Sequence, residues 1–232
     1  LSIAVLSLDD FYLTRSERRT LAKQHHPLLA TRGVPGTHDT ALLRESIICL
    51  QQASPGAMCK LPRFDKSCDD RAPSDTWTRV RCPVDMILFE GWCVGSKPQS
   101  HAELEKPLNA LERAEDPDGV WREFVNTRLH EEYSAIFSLI DVLVFLQAPD
   151  FDSIYRWRLK QEEKLREEKP VKSVGHGDDA IMSAEQIARF IQLYERLTRA
   201  NLDRLAGLRT SLAALILGKG ACRLRTAARG LA

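Results

Sequence analysis

No stretch of this chain is apolar for the ~20 residues that a bilayer-spanning helix needs. An excess of charge is lacking as well: 33 Lys and Arg against 32 Asp and Glu leave a formal net charge of +1. So even a balance gives no field for steering nucleic acid or an anionic membrane, and neither is expected as a partner. Cysteine is present without pattern. Cys49, Cys59, Cys68, Cys82, Cys93 and Cys222 form no C-x-x-C pair, and no histidine stands beside them at zinc-site spacing. Scattered cysteines of this kind are expected as reduced thiols in a cytoplasmic protein. Internal repeats and low-complexity tracts are absent. Leu1–Leu8 is too short, and lacks the basic leader, for a secretory signal. The chain opens on Leu1, inside an apolar run, and reads as a fragment.

What the chain does have is a set of short apolar runs that stop at acids. Ile3–Leu8 ends in Asp9-Asp10. Met86–Phe89, led by Pro83 and Val84, ends in Glu90-Gly91. Val142–Leu146 lies between Asp141 and Ala148-Pro149. Short apolar runs bounded by turn signals read as strands buried on both faces. Long helical stretches separate them, which predicts an α/β fold with a parallel sheet and crossover helices. Ligands of such sheets gather beyond the carboxyl ends of the strands, so Asp9, Asp10 and Glu90 stand where a site is expected. Each alone is as readily a solvated strand end; their combination carries the reading.

Between the runs, helices are expected over Thr14–Gln24 and over Thr40–Gln52, the second capped by Asp39 or Thr40. A third, capped by Asp118, carries the stripe Trp121, Phe124, Val125, Leu129, Tyr133, Ile136 and Phe137. A fourth starts at Asp150 or Asp152. Ser183 and Gln186 form the capping box of a fifth. Ser96–Pro117 is polar and broken by proline, and is expected as a long loop on the ligand side of the sheet. Lys172–Asp179 reads as a glycine-containing loop. Past Leu205 the pattern weakens: Leu212–Leu217 suits a strand, and a basic tail follows. The chain thus divides into a domain over 1–205 and a divergent tail over 206–232.

Carboxylates on adjacent strand tips can hold a magnesium ion through water or take a proton from a hydroxyl. Phosphoryl transfer needs that equipment together with cations for the phosphate charge. Arg156, Arg158 and Lys160 are candidate cations, although three charges on one helix equally suit a solvated face. Arg32, His38, Asp39, Arg63, Asp65, Asp70 and Arg71 lie in the loops before the Glu90 strand and suit a small anionic substrate. Arg63 or Arg71 can grip a carboxylate as a fork. The plainer alternative is surface ion pairs worth ~0–1 kcal/mol each. Two glycine–lysine stretches are decoys. Gly91–Lys97 has the wrong spacing for G-x-x-x-x-G-K-[ST] and runs into Pro98, and Gly218-Lys219-Gly220 has no such frame.

Several of these segments are distinctive together: Ser7-Leu-Asp-Asp-Phe-Tyr-Leu-Thr14, Arg32-Gly-Val-Pro-Gly-Thr-His-Asp39, Pro62-Arg-Phe-Asp-Lys66, Asp70-Arg71, Leu88-Phe-Glu-Gly-Trp92, Tyr155-Arg-Trp-Arg158 and Tyr194-Glu-Arg-Leu-Thr198. From about Ile3 to Leu205 the chain resembles the P-loop-type D-glycerate 3-kinases, relatives of phosphoribulokinase, uridine kinase and pantothenate kinase. The resemblance implies a P-loop kinase-like parallel sheet flanked by helices, with ATP and Mg²⁺ as cofactors and D-glycerate as substrate. Asp9 then matches the hydroxyl base, with Asp10 assisting or binding substrate. Glu90, with Asp9 near it, matches the carboxylate beside magnesium. Arg158 matches a lid arginine, with Lys160 beside it for ATP. Arg32, His38, Asp39, Arg63, Asp65 and Arg71 fall in the substrate loops. The family's first strand and its Walker A loop have no counterpart here. Two alternatives stay open: a kinase of another hydroxyl substrate such as a nucleoside or pantothenate, and a truncated binding protein without catalysis.

Overall fold

The computed structural model describes residues 1–168, 182–206, 213–218 and 221–225, the last two segments as backbone. In chain order, β1 (Ile3–Ser7) runs through a 3-10 turn (Leu8–Phe11) toward α1 (Arg15–Gln24). Thr14 caps α1 in a reciprocal box with Glu17, the arrangement that satisfies orphan amides at a helix start. After the Arg32–Asp39 loop comes α2 (Thr40–Gln52), and Asp39, not Thr40, is its cap, accepting from the Leu42 amide at 3.0 Å. Strands β2 (Met58–Leu61), β3 (Phe64–Asp65), β4 (Asp70–Arg71) and β5 (Thr78–Arg81) then form two antiparallel pairs, β2 with β5 and β3 with β4. β6 (Met86–Glu90) returns beside β1, parallel and in register from Ile3↔Met86 to Ser7↔Glu90.

Ser96–Pro117 is not the loop that its composition suggests. It carries α3 (His101–Leu104) and α4 (Ala110–Glu115). Both are too short to be stable alone, and tertiary contacts hold them. Ser100 and Glu103 cap α3 reciprocally, and the Glu112 carboxylate of α4 is fully buried on Arg196. Asp118 does not cap the next helix. α5 (Val120–Arg128) has Gly119 at its cap, and Asp116 accepts from the Trp121 and Arg122 amides at 2.8 and 3.2 Å. A π-turn (Leu129–Tyr133) leads into α6 (Ser134–Phe137) and then β7 (Val144–Gln147). Asp150 starts α7 (Phe151–Glu168), accepting from the Ser153 amide at 2.6 Å. The Ser183–Gln186 box opens α8 (Ala184–Ala206) as expected, with bonds of 2.8 and 3.2 Å. Lys172–Asp179 lies outside the described residues.

β8 (Ala213–Gly218) pairs parallel with β7, as the Leu212–Leu217 run suggests. The tail is not featureless, because β9 (Ala221–Arg225) adds an antiparallel strand there. The architecture is therefore α/β, with parallel strand pairs flanked by helices. Among the described residues no helix is long and apolar enough to cross a membrane.

Two further expectations fail. The first is that the strands are buried on both faces. Ala4 and Leu6 are buried against Leu43, Ile47, Leu50, Tyr133 and Ile136, whereas Ile3, Val5, Met86 and Leu88 on the other face are about half exposed. Val144 and Leu146 of β7 are exposed likewise. The apolar runs reflect a sheet with two apolar faces, of which the described residues cover one. The second is the reduced state of every cysteine: Cys49 on α2 and Cys59 on β2 are disulfide-bonded. The packing of α2 on β2, which no local spacing reveals, brings them together.

Arg196 on α8 holds the α3–α4 segment. It donates to Glu112 Oε1 and Oε2 at 2.8 and 2.6 Å, and to the carbonyls of Glu103 and Lys106 at 2.7 Å each. Removing one partner of a buried pair leaves an uncompensated charge. Glu112→Ala is expected to cost about 3–5 kcal/mol in urea unfolding. Glu115→Ala, which breaks the exposed pair with Arg189, is expected to cost under about 1 kcal/mol. Equal losses in the two variants would refute that role for the Arg196 fork.

Candidate active site

The β1–β6 register places the functional ends side by side. Ser7 and Glu90 are direct partners, and the chain leaves Ser7 into the turn that carries Asp9 and Asp10. All three carboxylates therefore stand at one end of one strand pair. Gly91 turns the chain away from Glu90, and a Cβ there would press on the Leu8 side chain at 2.7 Å. Glu90 itself is exposed, and among the described residues no side-chain hydrogen bond occupies it. An unengaged carboxylate at a strand tip is a hard oxygen donor of the kind magnesium takes.

Asp9 and Asp10 are each met by a cation from the β2–β3 region. Arg63 Nη1 donates to Asp10 at 2.7 Å, and the Phe64 amide donates to the other oxygen at 3.1 Å. Lys66 Nζ donates to Asp9 Oδ2 at 2.7 Å, and Tyr12 Oη donates to Oδ1 at 2.8 Å. Burial alone would raise the Asp9 carboxyl, but the Lys66 ammonium and the Tyr12 hydroxyl outweigh it and hold the group below the usual carboxylate range. Asp9 is thus ionised at neutral pH and already oriented. Burial and the Asp9 charge push the Tyr12 phenol far upward, so Tyr12 stays a donor.

His38 sits behind this pair. Its ring stacks on Tyr12 with centroids 4.5 Å apart, and its Nδ1 lies 2.7 Å from Tyr133 Oη. Nε2 is buried with no partner. Burial, opposed by the Asp9 charge, pushes the imidazole down to about 3. His38 is therefore a neutral supporting group, and its side chain is only 3% exposed.

The remaining expected residues divide. Arg71 reaches Asp39 at 3.0 Å and the Tyr12 carbonyl at 3.1 Å, so it ties the α2 cap to the Asp9 turn. Arg32 pairs with Asp69, which Arg18 also meets at 2.9 Å; both guanidinium groups lie over the Phe64 ring. Asp69 adopts φ of 54° to take part, so Arg32 is committed to holding the loop. Asp65 turns into its own bend, accepting from Ser67 N and Oγ at 2.9 and 2.6 Å. Arg158 is half-buried on α7, bonded to Gln161 at 2.8 Å and lying over the Phe190 ring. Burial chiefly drives the Tyr194 phenol upward; the Asp9 charge adds to the rise, and the Arg32 and Arg158 charges oppose it. Lys160 and Arg156 are exposed, and two residues of helix place Lys160 on the opposite side from Arg158. The structure does not bring those two together.

Sequence reasoning assigned no role to Lys66 or Tyr12, although both fall inside the distinctive segments. The available signal was position: Tyr12 lies three residues past Asp9, one turn away, and Lys66 opens the turn between β3 and β4.

Strand tips bearing acids, cations folded over them from a hairpin, and parallel strands with flanking helices define a kinase-like α/β protein. The chain belongs to the family of D-glycerate 3-kinases and related ATP-dependent kinases. It is 35% identical over 209 residues to the chloroplastic D-glycerate 3-kinase of Arabidopsis thaliana, covering 87% of this chain and 41% of that protein. It is 33% identical over 202 residues to the uncharacterized kinase mug58 of Schizosaccharomyces pombe, covering 83% and 68%. The solved D-glycerate 3-kinase of Cryptococcus neoformans superposes with a TM-score of 0.75 at 27% identity, covering 97% of this chain and 80% of that one. The chain thus spans about two fifths of the Arabidopsis protein. No family model matches it.

Two outcomes follow from the site's electrostatics. In Lys66→Met the Asp9 carboxyl loses its principal stabilising partner, and carboxyl NMR titration is expected to show its pKa moving upward; an unmoved Asp9 would contradict the pairing. His38 has a folded pKa near 3 against an ordinary value of 6.5, so the unfolded chain binds its proton first. That contribution to stability is complete above about pH 6.5 and is lost as pH falls toward 3. His38→Gln is expected to flatten the pH dependence of the melting midpoint between about pH 5 and 6.5, and a slope equal to wild type would exclude His38 as its source.

Proposed function

We propose that this chain forms the substrate side of an ATP- and Mg²⁺-dependent kinase that phosphorylates a small hydroxy acid, D-glycerate, to 3-phosphoglycerate. The observation that carries the reading is the pair of cation-clamped acids on one strand tip beside Glu90 on the next. Within it, Asp9 accepts the proton of the attacking hydroxyl. Its lowered pKa keeps it unprotonated, and Tyr12 on Oδ1 and Lys66 on Oδ2 fix its orientation. Arg63 lies on an exposed loop and is free to share its fork between Asp10 and a substrate carboxylate. Arg71 and Asp39 hold the floor beneath. Magnesium-bound ATP supplies the transferable phosphoryl group and charge neutralisation. Glu90 is the residue fitted to hold the metal, with Asp9 beside it, and Arg158 is fitted to approach the phosphates from α7.

The phosphate cradle is proposed to come from polypeptide outside these residues. No G-x-x-x-x-G-K-[ST] run occurs in the sequence, and β6 pairs with β1 alone among the described residues. The exposed apolar face of Ile3, Val5, Met86 and Leu88 supports a sheet that continues and is covered on that side. Unpaired strand groups cost about 1–3 kcal/mol each once buried, so such a continuation is favoured.

In enzyme that contains both halves, Asp9→Asn is expected to lower kcat by about 10²–10⁴-fold while the complex with Mg·ATP persists, measured by coupled ADP release. Retained turnover would remove Asp9 from the base role. Across a panel of glycerate, pantothenate and nucleosides, glycerate is expected to give the highest kcat/KM; a better nucleoside substrate would overturn the assignment.

A further inference from the structure

The kinase reading uses none of the sulfur chemistry in this chain. Cys49 lies near the end of α2, Cys59 lies in β2, and Cys82 directly follows β5. The Sγ atoms of all three lie within 4.8 Å of one another. Backbone hydrogen bonds fix the three segments together: Cys82 N donates to the Ala57 carbonyl at 2.8 Å, Gly56 N to the Cys82 carbonyl at 2.9 Å, and Val84 N to the Leu50 carbonyl at 3.0 Å. Cys49 and Cys59 are bonded to each other, and Cys82 is a free thiol buried against that bond. The surroundings are apolar: Cys49, Cys59 and Cys82 pack in the same cluster as Leu50, Ala53 and Val84. An apolar setting favours a neutral disulfide and thiol over a metal tris-thiolate, which keeps net charge on a divalent ion. Cys59 and Cys82 are fully buried, while Cys49 is half-buried and gives access from solvent.

We propose that Cys49, Cys59 and Cys82 form a three-sulfur exchange site, in which one disulfide moves among the three pairings and is loaded and unloaded by low-molecular-weight disulfides and thiols. The internal step is an isomerisation. The Cys82 thiolate attacks Cys59 Sγ, the bond to Cys49 breaks, and Cys49 leaves as a thiolate and takes up the proton that Cys82 gave. Loading begins at the accessible sulfur. The Cys49 thiolate attacks an external disulfide and expels one thiol. Cys59 then attacks Cys49 Sγ and expels the second, so two protein thiols are oxidised and one external disulfide becomes two thiols. The bridge fastens β2 either to α2 or to the segment after β5, and β2 leads directly to Arg63. The proposal rests on packing alone and stands or falls apart from the kinase reading.

Disulfide mapping by mass spectrometry, after equilibration in reduced and oxidised glutathione and rapid alkylation, tests the site. Wild type is expected to yield the Cys49–Cys59 peptide pair. Cys59→Ser, which keeps the accessible Cys49, is expected to raise the Cys49–Cys82 pair at least roughly tenfold over its wild-type level, with the circular dichroism of wild type retained. Cys49→Ser, which removes the accessible sulfur, is expected to bridge Cys59 and Cys82 far more slowly. Cys68→Ser, at an exposed thiol outside the cluster, is expected to change nothing. A Cys59→Ser protein that folds but leaves Cys82 reduced and Cys49 only glutathionylated would overturn the proposal. So would a reduced wild type that takes up one equivalent of Cd²⁺, with a thiolate charge-transfer band lost in Cys82→Ser, and that then resists bridging; the cluster would be a metal site instead.

Discussion

The in-register parallel pairing of β1 with β6 is the constraint on which the rest depends. Because Ser7 meets Glu90, the residues that leave each strand leave together, and three carboxylates arrive at one rim. Two of the three are each met by a cation: Arg63, just before β3, meets Asp10, and Lys66, just after β3, meets Asp9. Arg71, on β4, meets Asp39 instead. Sheet register and hairpin placement are thus one electrostatic solution. Arg63 and Lys66 are more than half exposed, so both can move their charge from a carboxylate to an incoming anion at little cost in contacts.

The rim is stiff behind and loose in front. Behind Asp9, the Tyr12 ring stacks on a neutral His38, which is in turn bonded to Tyr133. Gly33 and Gly36 allow the loop around His38 to pass close to neighbouring side chains: both have positive φ, and a Cβ at either would meet Tyr194 or Phe124. An aromatic wall with no titration near neutrality holds Asp9 in place. In front, the lysine and arginine that touch the acids belong to solvent-facing loops, as ligand-binding elements usually do.

Much of this was legible in the sequence, for identifiable reasons. The acid-terminated apolar runs disclosed the strands because an apolar run of five or six residues has few other fates. Helix starts at Asp39, Asp150 and Ser183 were readable because capping is local chemistry. The α3–α4 segment was not readable, since helices of four and six residues have no internal signature and owe their existence to Arg196, some ninety residues away. Nor was the Cys49–Cys59 bond, which depends on how α2 lies on β2. Strand burial was misjudged because hydrophobicity records the need for cover and not whether these residues supply it. At the rim, residue types could not tell Arg63, which faces the acids, from Arg32, which holds Asp69.

The fork made by Arg196 has a bearing on how the chain tolerates change in length. One guanidinium is bound at once to a carbonyl at the end of α3, a carbonyl between the short helices, and a carboxylate on α4. A single-residue insertion or deletion within the first turn of α4, between Ala110 and Glu112, would turn the carboxylate by about 100° around the helix axis and swing it off the fork. Indels among natural variants should therefore spare this stretch and collect in turns such as the one around Asp75, between β4 and β5, whose backbone bond runs from Thr76 to Pro73.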